Sequence, residues 1–135
     1  MRTVKDLMSK WAPALHERDY LSRAVDQILS SGYTGLPVVD DNHRLVGFLS
    51  EQDCIRSLAS SSYHCDNWVR ISDIMSRDPI SVTPDMSELA LAALFTGQKP
   101  KVYPVVDGHH RVIGVLTRSR VMAALNDQLK ACRVA

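Results

Sequence analysis

Residues 36–50 read Leu-Pro-Val-Val-Asp-Asp-Asn-His-Arg-Leu-Val-Gly-Phe-Leu-Ser. Two β-branched runs, Pro37-Val38-Val39 and Arg44 to Leu49, flank the polar turn Asp40-Asp41-Asn42-His43, which is the pattern of a β-hairpin. Residues 103–117 read Tyr-Pro-Val-Val-Asp-Gly-His-His-Arg-Val-Ile-Gly-Val-Leu-Thr, a second hairpin turning at Asp107-Gly108. One offset of 67 positions carries Leu36 onto Tyr103, His43-Arg44 onto His110-Arg111, Gly47 onto Gly114, Leu49 onto Leu116 and Ser50 onto Thr117.

The same offset holds outside the hairpins. It carries Asp6-Leu7-Met8-Ser9 onto Asp73-Ile74-Met75-Ser76 and Leu58 onto Leu125. An offset kept without a gap from the start of a unit to its end indicates tandem duplication. The first copy spans residues 1–60 and the second 71–135. Residues 61–70, Ser-rich and then Tyr63-His64-Cys65-Asp66-Asn67-Trp68, have no period and read as the connection.

Each copy shows one order of elements. Leu21, Ala24, Val25, Ile28 and Leu29 lie at helical spacing and Gly32 follows where a helix C-cap belongs. Leu91, Leu94 and Phe95 repeat this, ending near Gly97. After the hairpin a second helix is expected from about Ser50 to Ala59, with Ile55 and Leu58 as buried positions. Its counterpart runs from about Thr117 to Leu129, with Val121, Ala124, Leu125 and Leu129. Short extended stretches, Trp11 to Leu15 and Pro79 to Val82, precede the first helices. The unit is β-α-β-β-α, an α/β (α+β) class. A unit of about 60 residues buries too little surface to stand comfortably alone, so the two are expected to pack through their sheets.

Composition sets the outer limits. The chain has 135 residues, 45% apolar and 23% charged, the balance of a soluble globular domain. Its 16 Lys and Arg against 15 Asp and Glu give a net charge of +1, so no global field favours nucleic acid or an anionic membrane. The longest apolar run, Leu89 to Phe95, is far short of the roughly 20 residues of a membrane span. The N-terminus lacks a secretory h-region, and a cytoplasmic location is the default expectation. Three cysteines, Cys54, Cys65 and Cys132, are odd in number and form no Cys-x-x-Cys pair, so they are read as reduced thiols.

The order extended stretch, helix, Leu-Pro-Val-Val-Asp, turn, Leu-Val-Gly-Phe-Leu-Ser-x-x-Asp, helix, with its main elements present twice, resembles a stand-alone pair of cystathionine-β-synthase (CBS) domains, a Bateman module. The resemblance spans Val4 to about Leu129. It implies a pseudo-twofold pair of units meeting through their sheets, with clefts at the junction that often bind AMP, ADP, ATP or S-adenosylmethionine. It also implies a regulatory role and a homodimer.

Ser50-Glu51-Gln52-Asp53 lies where a strand ends and a helix begins. Backbone N–H groups and the positive helix end favour a phosphate there, with the Ser50 hydroxyl as a further donor. The Asp53 carboxylate suits both ribose hydroxyls. In the resembled family the matching Ser/Thr and Asp make those contacts. Ser-x-x-Asp is equally a capping box, in which Ser50 and Asp53 only close the helix end. In the resembled module the base slot would take Thr34, Gly35, Leu36 and Phe48, with Gly35 allowing close approach to the backbone. The early stretch of the other copy, Pro79, Ile80, Ser81 and Val82, would complete the cleft. Lys101 and Val102 would lie across the pseudo-twofold from Thr34 and Gly35.

The second copy departs from this pattern. Thr117-Arg118-Ser119-Arg120 keeps the hydroxyl but puts Arg120 where the ribose carboxylate would be, and a guanidinium has no acceptor. One ribose site per chain is therefore expected, with a second cleft at Thr117, Arg118 and Arg120 that is empty, structural or specialised for an anion. His43, His109 and His110 read as turn residues rather than metal ligands. No Walker loop, GxGxxG or HExxH occurs, which argues against an enzyme. A Cys54 nucleophile beside Asp53 is the one catalytic alternative. Two functions compete: a sensor of an adenosine-containing ligand that acts on an unidentified partner protein, and a ligand-free dimeric scaffold in which Ser50 and Asp53 are a cap.

Overall fold

The structure is a computed structural model and describes residues 2–11, 13–96 and 101–132. In chain order the elements are α1 (Val4–Leu7), β1 (Leu15–His16), α2 (Leu21–Ser31), β2 (Gly35–Val39), β3 (Leu45–Ser50), α3 (Glu51–His64), α4 (Ile71–Ile74), β4 (Ser76–Arg77), α5 (Glu88–Phe95), β5 (Val102–Val106), β6 (Val112–Thr117) and α6 (Arg118–Ala131). This is the mixed α and β unit expected, present twice.

The hairpins follow their turn chemistry. Asp40 accepts from the N–H groups of Asn42 (2.8 Å) and Arg44 (3.0 Å), and Asp107 accepts from those of His109 (2.8 Å) and Arg111 (3.0 Å). Each carboxylate thus closes its own turn. The left-handed residue is a histidine in both, His43 and His110 at φ 62, and Gly108 has no positive φ. β2 pairs antiparallel with β3, β5 with β6, and both ladders shift register at the same place, Val38/Val39 and Val105/Val106.

The leading segments are exchanged between copies. Val4 and Leu7 of α1 join the core of the second copy, with Val82, Leu91, Tyr103, Val105, Leu116, Val121 and Ala124. Ile71 and Met75, from α4 and its end, join the core of the first, with Leu15, Leu21, Ala24, Ile28, Leu36, Val38, Leu49 and Cys54. Full burial of such side chains stabilises by about 1.5–3 kcal/mol each. β4 pairs with β3 through Gly47↔Arg77 and Phe48↔Ser76, while Ser9 bridges to Val115. Glycine permits both crossings: a Cβ on Gly47 would lie 2.8 Å from the Ser76 carbonyl oxygen, and one on Gly114 would collide with that of Ser9.

A third cluster, Val39, Leu45, Val106 and Val112 with Ala14 against it, joins the two sheets. Two reciprocal hydrogen bonds reinforce it: the Leu45 N–H donates to His110 O (3.0 Å) and the Val112 N–H to His43 O (3.1 Å).

Several local expectations are corrected. α3 does not end near Ala59 but runs to His64, where Cys65 caps it at φ 52, so the first four residues of the expected connection are helical. Val69, in the same connection, packs against the first core. Leu29 (70% exposed), Ile55 (65%) and Leu129 (69%) lie at helical spacing but outside the core. The reason is that the buried stripe is narrow: Leu21, Ala24 and Ile28 on α2, Cys54 on α3, Val121 and Ala124 on α6. The extended stretches are shorter than expected. Among the described residues, only Leu15–His16 forms a strand in the first, and in the second only Val82 bridges, to Val105. Gly32 ends α2 in the left-handed region at φ 77, as read, whereas Gly97 lies outside the described residues.

Candidate functional site

Strand alternation selects which β3 side chains leave the core. Gly47 and Leu49 are buried, Leu49 in the first core, so Phe48 and Ser50 point to the other face. Phe48 and Ser50 therefore share a side, and α3 starts directly beyond them. A cleft of about 510 Å³ opens there, lined by Thr34, Phe48, Ser50, Glu51, Gln52, Asp53, Ser76, Lys101 and Val102. Six residues expected from the sequence, Thr34, Phe48, Ser50, Asp53, Lys101 and Val102, are brought together in it.

The other expected residues are elsewhere. Leu36 is fully buried in the first core and reaches no cleft. Gly35 is buried beneath Phe48, for a Cβ there would lie 2.6 Å from the ring and 2.7 Å from the Leu49 carbonyl oxygen. Its lack of a side chain serves the packing of that ring. Pro79, Ile80 and Ser81 do not line the cleft, and Val82 is in the second core. Ser76 takes their place because β4 pairs it with Phe48. Glu51, Gln52 and Ser76 are the lining residues that sequence reasoning did not assign. The repeat of Ser9 as Ser76 was the available signal for the last.

The Ser50/Asp53 pair forms the capping box. The Asp53 N–H donates to Ser50 Oγ at 3.1 Å, and the Ser50 N–H donates to Asp53 Oδ2 at 3.1 Å. Oδ1 takes no part in the box and lies 3.8 Å from an Arg56 guanidinium nitrogen. The helix start has fewer spare donors than expected. The Glu51 N–H donates to Thr34 O at 2.9 Å and the Asp53 N–H is used by Ser50, so Gln52 holds the first-turn N–H without a partner among the described residues. A phosphate at this end would rest on Gln52 N–H, the Ser50 hydroxyl and Lys101, with the Glu51 carboxylate as a repulsive neighbour.

A second cleft, about 290 Å³, is lined by Gly32, Tyr33, Thr34, Lys101, Val102, Thr117, Arg118 and Ser119. Thr117 and Arg118 are present as expected, but Arg120 is not. Its Nη1 donates to the carbonyl oxygen of Leu7 at 3.3 Å, closing the end of α1, while its N–H donates to Thr117 Oγ1 at 3.3 Å. The arginine at the position equivalent to Asp53 thus fastens the exchanged N-terminal segment.

Cys54 does not have the environment of a nucleophile. It is buried in the first core, and burial together with the Asp53 and Glu51 carboxylates pushes its thiol up to about 11. At neutral pH it is a thiol and a small apolar packing residue. No helix among the described residues is long and apolar enough to cross a membrane.

Comparison with known proteins agrees with this fold. The CBS domain model matches residues 4–60 and again residues 71–127. The crystal structure of the CBS-pair protein CBSX2 from Arabidopsis thaliana is 28% identical, superposes with a TM-score of 0.80, and the match covers 98% of this chain and 99% of that one. A second crystal structure of CBSX2 is a complex with AMP, also at 28% identity and TM-score 0.80, over 96% and 99% of the two chains. The CBS domain pair of protein MJ0100, in complex with 5′-methylthioadenosine and S-adenosyl-L-methionine, is 26% identical at a TM-score of 0.79, over 95% and 98%. Among curated sequences, the uncharacterized protein YtoI of Bacillus subtilis is 28% identical over 111 residues, 82% of this chain but 24% of YtoI. The chain spans about a quarter of the length of such curated relatives.

Proposed function

We propose, of a chain that belongs to the CBS domain family and carries the domain twice, that it is a regulatory module which binds an adenosine-containing ligand in the Asp53 cleft and transmits that binding to a partner protein. The observation that carries this reading is the convergence of Thr34, Phe48, Ser50, Asp53, Lys101 and Val102 on one cleft of about 510 Å³. Phe48 offers an apolar face to a base, Asp53 Oδ1 an acceptor to ribose hydroxyls, and Ser50 with Lys101 donors to a phosphate. The complexes of CBSX2 with AMP and of MJ0100 with two adenosine compounds support this ligand class. Capping and ligand binding are compatible, since the box uses Oδ2 and leaves Oδ1.

The module acts as a homodimer in the same reading. The groove between α2 and α3, lined by Val25, Ile28, Leu29, Ile55 and Leu58, repeats between α5 and α6 at the same offset. Ile55 and Met122 are equivalent positions, 65% and 69% exposed. Two apolar faces related by the internal pseudo-twofold suit a second copy of the chain, which would cover both at once. Ligand-dependent change in this assembly would alter docking on the partner, provided the two shapes differ in ligand affinity. A reducing, cytoplasmic setting fits the three free cysteines.

The test is a thermal-shift titration of wild type and Asp53→Asn with AMP, ADP, ATP, S-adenosylmethionine and NAD. A ligand at a hundredfold excess over its Kd stabilises the native state by about 2.7 kcal/mol. A rise confined to adenosine compounds and lost in the variant supports the proposal. No rise with any of them overturns it in favour of the scaffold.

A further inference from the structure

At the turn end of the hairpins, Arg44 and Arg111 occupy equivalent positions and form an antiparallel bridge with each other across the pseudo-twofold. The flanking bonds, Leu45 N–H to His110 O (3.0 Å) and Val112 N–H to His43 O (3.1 Å), make them a pair that exchanges no hydrogen bonds of its own. Residues so paired stand about 4.5 Å apart at Cα, with their side chains on one face. Two guanidinium groups are thereby held side by side, which is unfavourable while nothing negative lies between them.

The rest of the protein does not neutralise them. Arg2, Arg18, Arg23 and Arg56 meet carboxylates, and Arg70, Arg77 and Arg120 meet carbonyl oxygens. Among the described residues, the guanidinium groups of Arg44, Arg111 and Arg118 have neither kind of partner, and Arg118 belongs to the second cleft. The carboxylates of the same turns are committed. Asp40 and Asp107 accept from N–H groups of their own hairpins, and Asp41 meets His16 (2.8 Å) and Arg18 (2.7 Å). Both bridged arginines are exposed, as are His43, His109 and His110 beside them. Arg44 lies six residues from Ser50, about 20 Å along β3, so the pair stands clear of the Asp53 cleft.

We propose that Arg44 and Arg111 form the docking point for the partner protein, and that the partner presents to them a short run of aspartate and glutamate residues. Two guanidinium forks side by side fit two carboxylates, each held by a bidentate pair. A nucleic-acid backbone fits worse, because it needs several cations in a row and Asp40, Asp41 and Asp107 interrupt this patch. The surface takes one arginine from each copy, and the two hydrogen bonds between the copies fix their separation. A ligand that altered the angle between the copies would alter that separation, which couples the surface to the clefts. Docking of an acidic chain does not itself depend on what the Asp53 cleft binds.

The experiment measures binding of fluorescein-labelled hexaglutamate and hexaglutamine to the full chain by fluorescence anisotropy, without nucleotide. Wild type is compared with Arg44→Gln/Arg111→Gln and with the charge-matched Arg23→Gln/Arg77→Gln. All four arginines are exposed, so both variants are expected to melt as wild type does. Wild type should prefer hexaglutamate by about tenfold at low salt, the worth of two exposed ion pairs, and lose most of that preference at physiological ionic strength. The preference should vanish in Arg44→Gln/Arg111→Gln and persist in Arg23→Gln/Arg77→Gln. No preference in wild type, or one that falls equally in the two variants, overturns the proposal. Single-stranded oligothymidine that displaces hexaglutamate and binds more tightly overturns it in favour of nucleic acid. Adenosine compounds that fail to stabilise the chain overturn the cleft reading and leave this result as it stands.

Discussion

The Ser50 N–H reaches Asp53 Oδ2 and the Asp53 N–H reaches Ser50 Oγ, both at 3.1 Å, so the residue expected to meet a ribose also closes the helix that positions it. The two roles are separable by substitution. Asp53→Asn keeps a carbonyl acceptor for the Ser50 N–H and should lose less than about 1 kcal/mol, the worth of a charge at a helix start. Asp53→Ala removes the acceptor as well and should lose about 1 kcal/mol or more. Urea unfolding without ligand measures both, and ligand-induced stabilisation should be absent from both. Equal stability losses in the two variants would contradict the cap as described.

The exchanged N-terminal segment depends on Gly114. A Cβ there collides with the Ser9 carbonyl oxygen, a backbone atom that cannot move aside cheaply. Gly114→Ala should therefore cost about 1–3 kcal/mol and raise the rate of proteolytic cutting in residues 2–10. Gly108→Ala, whose Cβ would meet nothing within 4 Å, should stay within about 0.5 kcal/mol of wild type.

The hairpin carboxylates give an acid limb. Hydrogen bonds from the Arg44 and Asn42 N–H groups hold the Asp40 carboxyl below its ordinary value, and those of Arg111 and His109 do the same for Asp107. A depressed folded pKa contributes stability above the ordinary carboxylate value of about 4, and that contribution is lost as pH falls through the folded pKa. Wild type should lose stability on acidification below about pH 4. The double variant Asp40→Asn/Asp107→Asn should show a shallower slope there, read by thermal melts across pH.

Thiol reactivity should divide by burial. Cys54 is buried with its thiol pushed up to about 11, while Cys65 and Cys132 are exposed. Iodoacetamide at pH 7.5 (a pH of about one unit below an ordinary thiol) should label Cys65 and Cys132 in the native protein and leave Cys54 until denaturant is added, read by peptide mass spectrometry. Cys54→Ala should leave ligand binding unchanged, since the thiol packs into the first core.

The proposed homodimer rests on the outer helical faces. Ile55→Asp and Met122→Asp place a charge on residues that are already exposed in the single chain, so folding should be unaffected. Sedimentation should move from dimer toward monomer in either variant, because an unpaired charge buried in an apolar interface is strongly unfavourable. Unchanged sedimentation in both would remove these faces from the interface.

Much of this was written locally in the chain. The offset of 67 positions, the hairpins closed by Asp40 and Asp107, the Gly32 cap and the Ser50/Asp53 box each depend on residues a few positions apart, and such interactions are legible from order and spacing. The pairing of Phe48 with Ser50 on one face follows from strand alternation alone. What tertiary structure decided was where each piece docks. Nothing within residues 1–10 indicates that Val4 and Leu7 complete the second core rather than the first, because both cores offer apolar surface and the choice is made by long-range contacts such as the crossing beside Gly114 and the Arg120 hydrogen bond to Leu7. The same long-range choice brought Ser76 to Phe48, turned Arg120 to Leu7 and left Leu29, Ile55 and Leu129 outside. Helical spacing identifies an apolar face, but whether the face is buried depends on the width of the surface it meets, and that surface is made by residues far away in the sequence.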